Sequence, residues 1–447
     1  MKTYLKQAWQ LLRQNKLFST VYIVGTGLSI TTVMVLTMVF YIKVAPVYPE
    51  VNRDRTVIID RVMASMEDTG SGVSMGMGNV GTELIRNYLY YLKTPELVCA
   101  QIETSTFKLY PVDGSAAREI RMFRTDANYW KVFDFRFLHG RPYTAEEQKS
   151  GQKLAVVVQS VARRLYGDDE AIGKEIKVDT VTYNICGVVP DVSYATPVSY
   201  AEMWVPDAQL YAGEEGASMP NLFAALGGHT VFLVAPSVSQ TDEVIAEVNA
   251  MVEKINTLSA ASENPMKIAF PGDVQPYWKW ELTNTFSKEK YSNNRVFDWA
   301  EVLKAMLPIL LALLLVPAVN MAGMVSAMMD KRLAEFGVRK VFGGSRRALM
   351  TQILAENFLL TLIGGVCGLL LSYGLMYLGS NWVLTLFNQT GDTSPNAAVT
   401  FYTVDMLFNP FIFIVTLLLC FVLNYLSAII PAYTTLRKPI IYSLNKK

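Results

Sequence analysis

Few residues in this 447-residue chain have the types and spacing for covalent or acid–base chemistry. The two histidines, His139 and His229, stand far apart and alone, and each reads as a satisfied surface or core residue rather than a metal ligand. Acids are scattered through residues 44–304, but no pair has a spacing that marks a general acid with its base. There is no G-x-x-x-x-G-K-[ST] to cradle phosphates, no H-E-x-x-H and no G-x-S-x-G. No catalytic residue, bound cofactor or metal site is expected, and the chain is not read as an enzyme. The stretch that carries chemistry is 330–356, DKRLAEFGVRKVFGGSRRALMTQILAE. Glu335, Arg339, Lys340 and Arg346 could make charge-assisted hydrogen bonds to a partner. Phe336 and Phe342 lie among them as interface anchors, and Gly343 with Gly344 breaks the pattern between a short helix and a longer one. The alternative is a membrane-flanking loop whose aromatic rings sit in the headgroup layer.

What positions this stretch is a set of apolar runs. The chain is 51% hydrophobic, only 18% charged, and has a mean hydropathy of +0.24. A typical soluble protein has roughly 25% charged residues. Residues 17–42, 305–329, 357–391 and 406–436 contain no Asp, Glu, Lys, Arg or His. A bilayer core needs about 20 apolar residues as a helix, so four spans are expected. Lys2, Lys6, Arg13 and Lys16 precede the first span. Six Lys or Arg follow the second, and Arg437, Lys438, Lys446 and Lys447 follow the fourth. The link between spans three and four has only Asp392 and Asp405. The positive-inside rule places both termini and the 330–356 loop in the cytoplasm and residues 44–304 outside. That outer segment holds 25 Lys+Arg against 34 Asp+Glu, a net of −9, and the rest of the chain a net of +10. The whole-chain +1 thus hides a segregation, and no nucleic-acid partner is expected. The first apolar run is 26 residues long, against about 7–15 for a signal peptide's core, so it reads as a retained anchor.

Residues 1–16 read as an interfacial amphipathic helix, with Trp9 among apolar residues and bases on the other side. The outer segment reads as α+β. Strands are expected at 56–60, 118–123, 154–158, 175–178, 182–189 and 230–234, and helices at 82–92 and 239–255. Residues 64–79, rich in Gly, Ser and Met, read as a loop. Asp298 and Glu301 fit a capping pattern that starts a stalk helix leading into span two. Cys99 and Cys186 allow one external disulfide or, as favoured here, two unbridged core thiols. Within the spans, Gly364 and Gly368 form a G-x-x-x-G, and Gly25 and Ser29 a small-x-x-x-small pair. Such spacing serves close packing within the chain or a dimer interface.

From Asn320 to Gly374 the chain resembles the FtsX/MacB-type permeases of ABC transporters. Their loop typically reads R-x-x-E-I-G-I-R-K-A-L-G-A-S-R-R, followed by Q-F-L-x-E-S. Here stand Arg332, Glu335, Phe336, Gly337, Val338, Arg339, Lys340, Val341, Phe342, Gly343, Gly344, Ser345, Arg346 and Arg347, then Gln352 and Glu356, with Asn357 for the final Ser. The C-terminal stretch from Pro431-Ala432 through Arg437-Lys438-Pro439 to Leu444 is similar to the family's own. A second match lies in the outer segment. Gly140-Arg141, Val156-Val157-Val158, Ser160, Ala162, Leu165-Tyr166-Gly167, Ala171-Ile172-Gly173-Lys174 and Tyr183 to Val189 resemble the MacB-like core signature.

The resemblance implies a membrane protein of four transmembrane α-helices with a large α+β extracytoplasmic domain inserted between spans 1 and 2. The implied order is an amphipathic helix (1–16), span 1 (17–43), the MacB-like core domain (44–304), stalk and span 2 (298–329), the coupling loop (330–356), span 3 (357–382), a short external loop (383–405), span 4 (406–436) and a tail (437–447). The core domain divides into a porter-like part (44–112 and 228–297) and a β-rich insertion (113–227). The implied function is a mechanotransmission permease in the bacterial inner membrane, working as a dimer. ATP and Mg are used by a separate ATPase subunit that docks on the loop. Arg332, Glu335, Phe336, Gly337, Arg339, Lys340, Phe342, Gly343 and Arg346 are the coupling residues. A peptide, drug or lipoprotein is the implied class of cargo, with a periplasmic adaptor or outer-membrane channel as further partner. The FtsX side of the resemblance leaves a second class open, a non-transporting regulator that activates cell-wall hydrolases or a sensor.

Overall fold

The computed structural model describes residues 16–68, 72–103, 107–110, 117–167, 170–193, 196–212, 224–261, 265–272, 274–286, 297–308, scattered positions over 311–329, 333–343, 345–379 and 410–437. The amphipathic stretch expected at 1–16 lies almost wholly outside them. The chain forms two compact units, one of residues 42–302 with 389–406 and one of residues 1–41, 303–388 and 407–447.

The larger unit is built on three strands that are buried on both faces. Thr56–Ile59 pairs antiparallel with His229–Val234, which pairs antiparallel on its other side with Leu97–Glu103. Side chains alternate across a strand, and here both sets are apolar. Val57, Ile59, Val98, Ala100, Val231 and Leu233 enter one core with helix Thr241–Ser259. Ile58, Cys99, Phe232 and Val234 enter the other. That second core continues through the insertion. Met122–Thr125 pairs antiparallel with Leu97–Glu103 and parallel with Met203–Pro206, which runs antiparallel to Leu154–Val158. Val181–Val189 is parallel to Leu154–Val158, and Glu175–Val178 closes on it. One sheet therefore runs through both parts. Fully buried Trp204 donates its indole N–H to the Tyr129 hydroxyl at 3.0 Å, so the largest core side chain leaves no orphan donor. Cys99 and Cys186 are both free thiols.

Several expected elements recur with shifted ends. The strand at 118–123 is two pieces, Arg118–Ile120 and Met122–Thr125, and the helix at 82–92 is Thr82–Asn87 followed by a single 3₁₀ turn. The strand Phe107–Leu109, within the stretch read as porter-like, pairs with Arg118–Ile120 and Glu175–Val178 of the insertion. One expectation is overturned. Residues 64–68 and 72–79 are not a loop, because Val62–Asp68 and Gly72–Val80 pair antiparallel, with Met266–Ala269 as third strand. Val62, Ala64 and Val80 are fully buried, and that alternation selects the strand despite the unfavourable glycine content.

Among the described residues two helices are long and apolar enough to cross a membrane, Ser19–Val44 and Arg347–Leu378. Pro410–Arg437 is a further long helix over the expected fourth span. Asp298 Oδ1 accepts the Ala300 N–H at 2.7 Å. Most of the expected second span lies outside the described residues.

Candidate coupling site

The short helix expected in the 330–356 stretch is Leu333–Val341. Gly343 then reverses the chain at φ +89, a conformation that favours glycine. Ser345 starts the next helix, its hydroxyl accepting the Ala348 N–H at 3.2 Å. That helix runs unbroken from Arg346 to Leu378, so residues 346–356 of the stretch are its first turns.

Arg339 joins the two helices. Its guanidinium pairs with Glu335 one turn earlier at 2.6 Å and donates to Gln352 across the turn. Gln352 donates onward to Glu356 at 2.9 Å, and both of these side chains are buried. The Glu335–Arg339 pair is more than a third exposed, so its Coulomb energy is screened to a few tenths of a kcal/mol. Its role is geometric, since it holds a fork whose other prong reaches the second helix. Beneath this chain of contacts Leu349 and Ile353 pack into a core with Tyr22, Met329, Leu360 and Ala432. Gly337 is buried and Lys340 half-buried. On the outside Val338, Val341 and Phe342 are exposed, Phe342 by 86%. Arg332 and the side chains of Phe336 and Arg346 lie outside the described residues.

Gln352 and Glu356 complete the network but were not assigned a coupling role from sequence. Their own i, i+4 spacing, each three residues after a core position (Leu349 and Ile353), is the signal available in the sequence. Gly364 and Gly368 face the first helix. A Cβ on Gly364 would sit 2.9 Å from Thr26 carbons, and one on Gly368 would sit 2.7 Å from the Gly27 carbonyl oxygen. Thr31 donates to both the Gly27 and the Gly368 carbonyls. Gly25 and Ser29 are half-buried and joined along their own helix by a Ser29 hydroxyl–Gly25 carbonyl bond of 2.7 Å.

The outer unit contains a buried ionic tie that no sequence pattern marked. Arg53 Nε donates to Glu50 at 2.6 Å, and its Nη1 donates to the Ile42 and Ala45 carbonyls. Glu50 also accepts from Ser199 N–H and hydroxyl and from Tyr277. Burial works against the Arg53 charge, but neighbouring Glu50 outweighs it and the pKa rises. His229 is buried against Asp207 at 2.8 Å, a structural pair, and His139 lies in a two-residue strand.

Residues 19–251 match the family model of the MacB-like periplasmic core domain, and residues 306–440 that of the FtsX-like permease C-terminal domain. The chain belongs to the MacB/FtsX family of ABC transporter permeases. The family implies an inner-membrane protein with an extracytoplasmic domain. The chain is 24% identical over 243 residues to the macrolide export ATP-binding/permease protein MacB of Bdellovibrio bacteriovorus, which covers 54% of this chain and 34% of that protein. It is 25% identical over 264 residues to the uncharacterized ABC transporter permease YvrN of Bacillus subtilis, covering 57% of each. These alignments span about a third to somewhat over half of the relatives' own length. Among solved structures, a domain of a putative permease from Porphyromonas gingivalis has a TM-score of 0.37 at 13% identity, covering 50% of this chain and 90% of that one. The periplasmic region of MacB from Actinobacillus actinomycetemcomitans has a TM-score of 0.31 at 13% identity, covering 47% and 88%.

Proposed function

We propose that this chain is a permease subunit of the mechanotransmission kind, with four spans, working as a dimer with a separate ATPase in the bacterial inner membrane. Helix 333–341 is the docking lever. The observation that carries this reading is the contrast between its two sides. Arg339 fastens the helix to the head of helix 346–378, while Val338, Val341 and Phe342 are left bare. A lever needs both a stiff attachment to what it moves and a free surface for what drives it. Phe342 would fill an ATPase pocket, and Arg332, Glu335, Lys340 and Arg346 would ring it with charge-assisted bonds. ATP and Mg would be handled by the ATPase alone. Movement of the lever would flex the outer domain and drive export or extraction of a peptide, drug or lipoprotein, with an adaptor or outer-membrane channel as a further partner.

The test is co-purification with a candidate ATPase from detergent, using the full chain. Phe342→Asp is expected to weaken the complex by about 2 kcal/mol, roughly thirtyfold, as loss of a central anchor does. Glu335→Lys is expected to weaken it as well, by replacing a partner-facing carboxylate with a second cation beside Arg339. An ATPase that binds wild type and both variants equally well would show that docking lies elsewhere.

A further inference from the structure

The open face of the three-stranded sheet 62–68, 72–80 and 266–269 carries side chains that the coupling role does not use. Register fixes which ones share it. Met63 stands directly opposite Met77, and Ser65 directly opposite Met75. Directly opposed residues project to the same face, and so do residues two apart on one strand. Met63, Met75 and Met77 therefore form one triangle on one face. The other face, with Val62, Ala64, Val80 and Ile268, is buried in the core under helix 241–259. The triangle faces out, Met75 being 60% exposed, Met77 44%, and Met63 half-buried.

Methionine is an unusual choice here. Exposed strand positions favour threonine and β-branched or aromatic side chains. The long thioether is only a weak hydrogen-bond acceptor and loses rotamer freedom on any contact. What three thioethers supply is neutral, soft, polarisable sulfur. Directly opposed Cβ atoms lie about 4.5–5.5 Å apart and i, i+2 Cα atoms about 6.6–6.8 Å apart. Unbranched methionine side chains span such gaps, so three sulfurs can converge on one atom. Among the described residues no group of three or more His, Cys, Asp or Glu is placed to hold a metal ion. Hard and borderline divalent cations therefore have no comparable cluster there, and the thioethers select the soft monovalent ones.

We propose that Met63, Met75 and Met77 form a binding site for Cu(I) or Ag(I) on the outer domain. The site stands independently of the coupling reading. The sulfurs act as neutral donors, so binding releases no proton from them and changes no oxidation state.

The test uses the full chain in lipid nanodiscs, labelled at the methionine methyl carbons, with Ag⁺ as the probe. The first Ag⁺ added beyond what the free thiols take up is expected to shift the methyl resonances of Met63, Met75 and Met77, and Zn²⁺ is expected to leave them in place. Leucine keeps the volume and apolar character but removes the sulfur. The Met63→Leu/Met75→Leu/Met77→Leu variant is therefore expected to retain its melting temperature and to bind one equivalent of Ag⁺ fewer than wild type. That comparison subtracts the thiols, which are the same in both proteins. A face used only for apolar contact would tolerate leucine and ignore Ag⁺. Unshifted methyl resonances, or equal Ag⁺ stoichiometry in wild type and variant, would overturn the proposal.

Discussion

Two contacts in the outer unit show how differently charge behaves with depth. Arg53 and Glu50 are both fully buried, and Glu50 also satisfies Ser199 and Tyr277. Removing one partner leaves the other charged and unpaired, which costs about 3–5 kcal/mol. Arg53→Met is therefore expected to lower the unfolding free energy by that amount, read from denaturant midpoints by tryptophan fluorescence. The double variant Arg53→Met/Glu50→Leu should recover part of the loss. Near the surface, Glu147 accepts from Arg141 at 2.6 Å and from the Thr144 N–H at 2.8 Å in a capping box. The Arg141 hydrogen bond is the main cause that holds its carboxyl down, to about 2 from an ordinary 4.5. A depressed carboxyl pKa adds stability above the ordinary value, and that stability is lost as pH falls toward the depressed one. Because Arg141 is 57% exposed, the contribution is screened to below about 1 kcal/mol. Glu147→Gln should flatten the stability profile between about pH 4.5 and about pH 2 and leave the neutral-pH value within about 1 kcal/mol. The Glu335–Arg339 pair has helical i, i+4 spacing, yet in the sequence both charges read as aimed at a partner rather than at each other. The Arg339–Gln352 contact was not legible there, because it depends on the angle through which the turn at Gly343 folds the second helix back.

Elements were legible where local patterning decided them. The strands expected at 154–158 and 175–178 occur over those residues because dense Val and Ile, bounded by turns, leave no competing conformation. The paired strands 62–68 and 72–80 were missed because glycine and methionine dilute the alternation, and only the neighbouring strands and helix 241–259 reveal which residues are buried. The G-x-x-x-G of residues 364–368 was legible as a packing motif, but its partner was not. That partner is the first helix of the same unit, at Thr26, Gly27 and Ile30. Gly368→Ala would drive a methyl against the Gly27 carbonyl and disturb the Thr31 bond, at a cost of about 1–3 kcal/mol. Gly374, on the same helix, leaves open space within 4 Å of where an added methyl would stand. Gly374→Ala should therefore be neutral or stabilising by about 0.5–1 kcal/mol. Melting of the two variants in one detergent separates close approach from helix propensity, and equal behaviour would contradict the packing.

For the whole molecule, the charge division was the most informative property of the sequence. A net of −9 over residues 44–304 and +10 elsewhere pointed to sidedness before any motif was recognised. Continuity of the sheet was not legible at this scale. The insertion looked like a separate subdomain, yet its strand 122–125 pairs with 97–103 through Gln101–Thr125, Ile102–Arg124 and Glu103–Phe123. Long-range register of that kind leaves no local trace. The order of the strands also bears on how the protein is made. Strand 229–234 lies between strands 56–59 and 97–103 and supplies side chains to both cores. Both of its neighbours leave the ribosome first, and all of residues 104–228 must follow before it appears. At about 5–20 residues per second the wait is on the order of ten seconds. Through that interval two apolar strands stand with unpaired edges beside a membrane, the condition in which chains aggregate. Biogenesis, rather than the finished fold, is then the stage at which these apolar edges stand open.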